Sequence, residues 1–385
     1  MFKISTPIPF SYYTTTPLFA EEIQWRLVNG TGERIPPDIL QVTGNGIGTA
    51  VWRSEPVALQ PSGYYRYSVS HRGIDTNGGC LPCGIEGFSR DYSTVSNQWT
   101  EESFYFRTRQ DVAPMRVGHW ESTGTFQFRN AKLDPIVPIY REFDLPFGKL
   151  YLGEGETIRD GKYQFRSNFG GKGTNTQRLF LSTSATFNSN RWNFGANAQL
   201  SCFFTRGTGG HILPIPLTDG KITVNICYHT RGEGTIEISA DNLNWTELAR
   251  INNVGTQTVA LPESVLSADA VFVRIRGLAN CYFQVDKIDF ESSLPETYRD
   301  TDLHSLNLRG ETLFALVDQD TPSAHVLVLT QNNEIKVIEF SQQNGEFSRK
   351  DVKVFPLEKS RSPGEIETTF EFEGVTYTLT TQTHR

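Results

Sequence analysis

The strongest constraint on this chain is a strict alternation of apolar and polar side chains between residues 234 and 290. Two isoleucines flank a glutamate at Ile236, Glu237 and Ile238, and residues 271–276 repeat the pattern as Val-Phe-Val-Arg-Ile-Arg. Side chains of a β-strand point alternately to opposite faces, so a period of two indicates strands with one buried face. Residues 282–290 read as a third strand of the same unit.

Between the first two of these strands, residues 239–244 read Ser-Ala-Asp-Asn-Leu-Asn and lead into Trp245. Asp and Asn side chains bond their own backbone and tolerate left-handed geometry, so this composition predicts a tight turn. The large ring of Trp245 is expected to pack against the sheet edge rather than to bind a ligand.

A strand, then Ser-x-Asp-x-x-x-Trp, then Val-x-Val-Arg-Ile and a closing strand resembles the galactose-binding-like jelly-roll of discoidin and carbohydrate-binding modules. The resemblance covers about one third of the chain well and a further third loosely. It implies a two-layer sandwich that binds a glycan and is secreted or attached to the cell surface, as part of a bacterial protein. It does not name the ligand.

The composition favours an all-β chain. Its 385 residues include 26 Phe, 14 Tyr, 33 Gly and 19 Pro, a mixture typical of many short strands joined by tight turns. Weak helical patterns cover only residues 20–29 and 262–269. We therefore expect tandem antiparallel β-sandwiches with a small C-terminal β meander.

Prolines and a change in the pattern of strand-like segments near residue 295 divide the chain into three expected units. A proline-containing connector is expected at residues 134–139. The third unit, whose Asn-Gly pair at Asn344 and Gly345 is a strong hairpin signal, is either a small meander or the start of a larger domain. The expected boundaries are 1–138 for an N-terminal sandwich, 139–294 for the jelly-roll and 295–385 for the C-terminal unit.

Charge and hydropathy argue against two classes of partner. The net charge of −7, with basic residues scattered along the chain, does not fit the clustered Lys and Arg of a nucleic-acid surface. No apolar run approaches the roughly 18 residues of a membrane helix. The first ten residues also lack the apolar stretch of an export signal. Either the protein is intracellular, or such a signal was removed or lies upstream, and the module resemblance favours an extracellular or cell-surface location.

The five cysteines are weakly informative. Cys80 and Cys83 have the spacing of a zinc or redox pair, but no second pair or histidine pair completes a metal site. The surrounding glycines favour a loop that is closed by a disulfide or carries free thiols. Cys202, Cys227 and Cys281 lie in strand-like segments and are expected to be small buried hydrophobic residues.

A structural calcium ion is the cofactor that the resemblance implies. Calcium-supported carbohydrate-binding modules carry paired acidic residues at their start and an aspartate near their end, and the matching positions are Glu154, Glu156 and Asp286. Calcium takes about 6–8 oxygen ligands, which such carboxylates could supply in part. The alternative is a solvated acidic edge that prevents sheet-to-sheet pairing.

Sugar binding by stacking requires exposed aromatic rings beside planar polar side chains. Two segments have this mixture, one in each of the first two units. The alternative for each tryptophan is a place in the core between the sheets. The candidate ligand-binding residues are Arg90, Tyr92, Trp99, Asn188, Arg191 and Trp192.

Catalytic motifs are missing from the sequence. The seven histidines show no metalloprotease spacing and no nucleophile elbow occurs, while the 43 acidic residues make chance carboxylate pairs common. With these motifs missing, the resemblance implies a non-catalytic carbohydrate-binding protein of several modules. The alternatives are an accessory region of a polysaccharide hydrolase or lyase, and a structural or adhesion protein that binds other proteins.

Overall fold

The structure is a computed structural model, and it describes most of the chain between residues 23 and 293 together with seven further strands after them. The described ranges are 23–59, 64–93, 96–108, 110–138, 140–145, 148–152, 155–167, 169–170, 179–205, 219–266, 268, 270–293, 303–304, 314–316, 323–330, 334–343, 346–356, 364–372 and 375–383.

The first module is a sandwich of two antiparallel layers. Its strands are β1 (Trp25–Val28), β2 (Thr31–Ile35), β3 (Ile39–Asn45), β4 (Thr49–Ala58), β5 (Tyr64–Asn77), β6 (Leu81–Ile85), β7 (Phe88–Tyr92), β8 (Thr100–Arg107), β9 (Val112–Trp120) and β10 (Thr123–Pro138). One layer has the order β2-β3-β10-β5-β8, and the other runs β1-β4-β9-β6-β7. The aromatic side chains expected from the composition fill the space between them, and Tyr65, Tyr67, Phe104, Phe106 and Phe126 are almost fully buried.

Two short strands follow the first module and belong to a different sheet. They are β11 (Tyr140–Leu145) and β12 (Gly148–Leu152), and β11 pairs in parallel with a strand near residue 328. Residues 134–138 of the expected connector belong to strand β10, and Asp134 and Pro135 continue its ladder opposite β5.

The second module is also a two-layer sandwich. Its elements are β13 (Glu156–Arg159), β14 (Lys162–Phe165), β15 (Leu179–Thr183), β16 (Thr186–Asn188), β17 (Arg191–Phe194), β18 (Gln199–Thr205), β19 (Lys221–Arg231), β20 (Gly234–Ser239), β21 (Thr246–Ile251), β22 (Gly255–Ala260), α1 (Glu263–Leu266), β23 (Ala270–Gly277) and β24 (Tyr282–Ser293). One layer has the order β15-β18-β23-β20-β21, and β24 lies centrally in the other. The all-β prediction is confirmed.

The alternating segments around residues 236 and 273 form adjacent strands, with Ile238 opposite Val273. The predicted turn is confirmed: the Asp241 carboxylate accepts hydrogen bonds of 2.8 Å from the backbone amides of Leu243 and Asn244. The weak helical pattern at 262–269 corresponds to the short helix α1. The helix predicted at 20–29 is wrong for the described residues, because strand β1 occupies Trp25–Val28.

The remaining strands are described by backbone pairing. They are β25 (Leu303–His304), β26 (Phe314–Leu316), β27 (Ser323–Thr330), β28 (Glu334–Gln343), β29 (Glu346–Pro356), β30 (Gly364–Phe372) and β31 (Val375–Thr383). The expected hairpin at the Asn-Gly pair is present, since Gln343 faces Glu346 across β28 and β29. The antiparallel part of the expected meander is β27-β28-β29, and β11 and β12 extend the same sheet.

One sheet continues from the first module into the second. Strand β7 pairs in parallel with β16, with Phe88 opposite Phe187. The Phe187 amide donates to the Gly87 carbonyl at 2.9 Å, and the Ser189 amide donates to the Ser89 carbonyl at 3.0 Å. The described strands therefore do not separate into two independent sandwiches, and the boundary predicted between residues 138 and 139 stays a prediction.

Phe88 is the centre of the packing at this junction. Its ring stacks on Phe106 at a centroid distance of 4.6 Å and on Phe187 at 4.7 Å, and Trp192 meets it edge-on at 5.6 Å. The ring is 4% exposed. One side chain thus contacts the aromatic cores of both modules.

Strand β24 carries an ion network around Glu291, whose side chain is 11% exposed. Lys221 lies 3.0 Å, Lys162 3.3 Å and Arg166 2.9 Å from its carboxylate oxygens. Desolvation raises the pKa of Glu291, but the hydrogen bonds from these three cations outweigh it and lower the pKa to about 2.

We expect this network to contribute to acid sensitivity. The folded pKa lies below the ordinary value of 4.5, so the stabilisation is complete above that pH and is lost as the pH falls through about 2. Glu291→Gln should therefore flatten the fall of the melting temperature across this window, as measured by circular dichroism. Glu121→Gln, at an exposed position, is the control variant, because it also removes one carboxylate but lies outside the network. Parallel pH curves for the Glu291→Gln variant and the unmodified protein would contradict this account.

Candidate binding face on the first module

A row of hydrogen-bonded polar side chains crosses the outer face of the β2-β3-β10-β5-β8 sheet. Gln41 donates to Glu33 at 2.8 Å, Gln127 donates to Gln41 at 2.7 Å, and Arg72 donates through Nε to Gln127 at 2.7 Å. The four residues are direct cross-strand neighbours in the register. Strand alternation explains the row, because the residues on either side of Gln41 and Gln127 point into the core.

Trp99 completes this row at the edge next to β8. Its ring is partly exposed, and two guanidinium groups lie over it, with Cζ of Arg129 4.1 Å and Cζ of Arg72 4.8 Å from the ring centroid. Such contacts are attractive because the ring face is electron-rich. We call Arg72, Trp99, Gln127 and Arg129 the Trp99 cluster.

The cluster is built on a rigid base. Gln127 is 6% exposed, and both polar ends of its amide are bonded to neighbours in the row. Three of the four residues stand on or beside the long strands β5 and β10, whose ladder extends from Thr123 to Ile136. The planar groups are therefore held in position before any ligand arrives, which reduces the entropy lost on binding.

A cavity of about 300 Å³ lies at the edge of the same sheet and shares Arg129 with the cluster. It occurs where the β10 ladder is irregular between Arg129 and Lys132 and where Asn130 has a positive φ of 54°. Bulges of this kind open a sheet edge and redirect side chains. Its walls combine apolar and polar residues, namely Ile23, Trp25, Arg34, Pro37, Asp38, Leu40, Phe128, Arg129, Asn130 and Ala131.

Arg90 and Tyr92, predicted ligand-binding residues of the first module, lie at the junction with the second module. The Arg90 guanidinium donates to the carbonyls of Phe169 at 3.1 Å and Gly170 at 3.0 Å. Tyr92 stacks on the buried His71 at a centroid distance of 5.4 Å, and its hydroxyl oxygen is buried. Both side chains therefore contribute contacts within the structure. The Tyr92 ring is half-buried, and the ligand-binding role of both residues stays a prediction.

The three predicted residues of the second module lie at the same junction. Asn188 accepts a hydrogen bond of 2.8 Å from the Ser189 hydroxyl, and Arg191 lies next to it on β17 with its guanidinium 3.4 Å from Asn190 Oδ1. Trp192 is 3% exposed within the core. The stacking role expected for Trp192 is wrong in this fold, because its ring packs against Phe88 and Phe187. Of the three predicted aromatic residues, only Trp99 lies on a solvent-facing sheet surface.

The cysteine pair lies near this junction and is unsuited to thiolate chemistry. All five cysteines are free thiols. Burial raises the pKa of Cys80 to about 12, with a further rise from Asp91 beside it. Burial also raises the pKa of Cys83 well above its usual range. A thiol reacts as its thiolate, so neither side chain is a nucleophile at neutral pH.

The predicted calcium ligands do not converge in the described residues. Glu156 is buried and accepts a hydrogen bond from the Tyr163 hydroxyl, whereas Asp286 accepts one of 2.7 Å from Asn225. Strand β14 separates β13 from β24, and no group of three or more His, Cys, Asp or Glu that could hold a metal occurs in the described part of the chain. Glu154 lies outside the described residues. The residues that can be seen do not fit a calcium site, and the ion stays a prediction.

Sequence reasoning missed Arg72, Gln41, Gln127 and Arg129. The first three each occupy a polar position between buried neighbours of a strand, and Arg129 follows the buried Phe128. The alternation shows that such residues face away from the core. It does not show which strands are neighbours, so the cross-strand row could not be assembled from the sequence.

Comparison with known proteins identifies no family for this chain. No protein-family model matches the chain, and no curated protein matches it. Among solved structures, a CBM4 module matches with a TM-score of 0.26 and 12% identity over 29% of this chain and 86% of that chain. The tandem CBM22 domain of Paenibacillus barcinonensis Xyn10C matches with a TM-score of 0.25 and 10% identity over 70% and 93% of the two chains.

The tandem CBM51 modules of a family 98 glycoside hydrolase from Streptococcus pneumoniae also match, with a TM-score of 0.18 and 9% identity over 65% of this chain and 83% of that chain. At these TM-scores the likeness carries no argument about function, which therefore rests on the chain's own residues. In the part of the chain that the structure describes, no helix has the length and apolar character needed to cross a membrane.

Proposed function

We propose that this chain is a non-catalytic carbohydrate-binding protein that binds a polysaccharide on the outer face of the β2-β3-β10-β5-β8 sheet. The observation that carries the proposal is the Trp99 cluster, in which an indole ring positions two guanidinium groups beside a hydrogen-bonded row of amides. The resemblance to secreted modules leads us to place the protein outside the cell or at its surface.

The chemistry of the cluster suits a ligand rich in hydroxyl groups. A guanidinium that stacks on a ring keeps its N–H donors in its own plane, where they remain able to bond a ligand. The amides of Gln41 and Gln127 fix the neighbouring groups, and the row gives an extended, shallow surface rather than a deep cleft. Shallow surfaces bury little area, so we expect micromolar to millimolar dissociation constants for each site.

Replacing Trp99 by Ala tests this proposal. Without the ring, Arg72 and Arg129 lose their common support, and we expect polysaccharide affinity to fall by about tenfold or more, since ordered groups bind better than mobile ones. Affinity gel electrophoresis against a panel of neutral and acidic polysaccharides measures the loss, and circular dichroism checks folding.

Trp245→Ala is the matched control. Trp245 is also a partly exposed ring with an arginine over it, since Cζ of Arg274 lies 4.1 Å from its centroid, but it stands in the second module. We expect this variant to retain binding. An equal loss of polysaccharide affinity in both variants, or unchanged affinity in Trp99→Ala, would contradict the proposal. Release of sugar from the same panel would instead favour an attached catalytic activity.

A further inference from the structure

The positive charges of the Trp99 cluster are not neutralised within the described structure. Arg72 bonds through Nε to the uncharged Gln127, and Nε of Arg129 is buried without a hydrogen-bond partner. Within the described ranges, neither arginine forms an ion pair with a carboxylate. Two guanidinium groups thus lie over one ring with their charge uncompensated, in a chain whose net charge is −7.

Two other arginines of the same module are paired. Arg53 forms an ion pair with Glu86, and Arg66 lies 2.8 Å from the Asp134 carboxylate. Arg116 of the same module also lacks an ion pair in the described structure, and its Nε is buried without a partner. The cluster differs because two such guanidinium groups lie over one partly exposed ring.

The second module contains a closer comparison. Arg274 lies over the ring of Trp245 in the same way, and there the charge is compensated by the buried Glu237, which forms an ion pair with the guanidinium. Burying a charge without a counterion costs free energy. Where the arrangement supports the fold, a carboxylate completes it, and where it faces outward on the first module, the carboxylate is missing from the described residues.

We infer that the ligand supplies the missing anion, and that the polysaccharide bound by the Trp99 cluster is acidic, with a carboxylate or sulfate group between Arg72 and Arg129. This inference rests on the proposed function, whose binding surface it uses. Planar guanidinium groups bind carboxylate and sulfate oxygens through paired N–H donors, and such charge-assisted bonds are stronger than those to neutral hydroxyls.

The cavity beside Arg129 could hold a further sugar unit of the bound polysaccharide. Its volume of about 300 Å³ is at the lower end of small-molecule sites, which span about 300–1,000 Å³. The partly exposed Trp25 provides apolar surface for a sugar ring, and Arg34 and Asn130 provide donors. Asp38 lines the cavity and disfavours an anion there, so we place the acid group at the cluster. The exposed Glu101 on β8 lies on the cluster's side, opposite Ser70, the cross-strand neighbour of Arg129, and forms no ion pair with either arginine in the described structure.

Two pairs of polymers that differ only in charge test the inference on the full chain. Polygalacturonate is compared with its methyl ester, and dextran sulfate with dextran, by isothermal titration at two salt concentrations. We expect at least one acidic member to bind about tenfold or more tighter than its neutral counterpart, with the carboxylate and sulfate arms identifying the group. Equal binding within both pairs would overturn the inference and leave the glycan proposal standing. If none of the four polymers binds, the inference of an acidic ligand is also overturned. The proposed function is then decided separately by the neutral polysaccharides of the panel used with Trp99→Ala.

Single-charge variants locate the effect. Arg129→Gln should lower the affinity for the preferred acidic polymer by about tenfold while changing neutral binding much less. Arg26→Gln removes the same charge from an exposed position on β1, in the opposite layer, and should bind as the unmodified protein does. If the two variants weaken binding equally, the acidic polymer is held by overall charge, and the assignment to the cluster is wrong. Melting curves establish that both variants are folded.

Discussion

Phe88→Ala is expected to lower the free energy of unfolding by about 3–5 kcal/mol, the range typical of removing a buried aromatic ring. The ring is 4% exposed and contacts Phe106, Phe187 and Trp192. Its loss leaves a cavity between the two modules that these large rings cannot fill without moving. Urea unfolding, followed by circular dichroism, measures the change.

Hydrogen exchange gives the sharper readout for this variant. Because Phe88 contacts both modules, faster exchange is expected in β16 and β17 as well as in β6 and β7. Phe88→Leu is the control, since it keeps most of the apolar volume and should cost much less. Faster exchange confined to the first module would show that the junction does not couple the two cores.

Glu237→Gln is expected to destabilise the second module by about 3–5 kcal/mol, because removing one partner of a buried ion pair leaves the other charge without compensation. The Glu237 side chain is 9% exposed and forms an ion pair with Arg274. It also accepts a hydrogen bond of 2.9 Å from the Thr235 hydroxyl. Urea unfolding of the variant measures the loss.

The double variant Glu237→Gln, Arg274→Met separates the pair from its surroundings. With both charges removed, the methionine covers the Trp245 ring as an apolar side chain, and the cost should be clearly smaller than for Glu237→Gln alone. If the double variant is the less stable of the two, the uncompensated Arg274 charge is not the cause of the loss. The polysaccharide affinity should be unchanged in both variants, since neither touches the Trp99 cluster.

Local patterns predicted the strands well because they depend on neighbours in sequence. The alternation around Ile236 and Val273 predicted two strands with one buried face, and the composition of residues 239–244 predicted their turn. These features follow from backbone geometry and from side chains within a few positions of each other.

Contacts between distant strands could not be predicted in this way. Nothing near Phe88 in the sequence indicates that β7 pairs with β16 about one hundred residues later. That pairing is why the side chain of Trp192 is buried, although its segment has the polar and aromatic mixture of a ligand site. Likewise Trp99 was predicted as a ligand residue, but the two arginines over its ring come from β5 and β10.

The continuous sheet has a consequence for dividing this protein into fragments. A fragment that ends after β10 would lose β16 and expose the backbone amides and carbonyls of β7 to any other chain. The second half, produced alone, would keep β17 beside β16 but would leave the other edge of β16 unpaired. Recombinant halves are therefore expected to self-associate, and fragments intended for separate work need a substitution such as Lys on the freed strand.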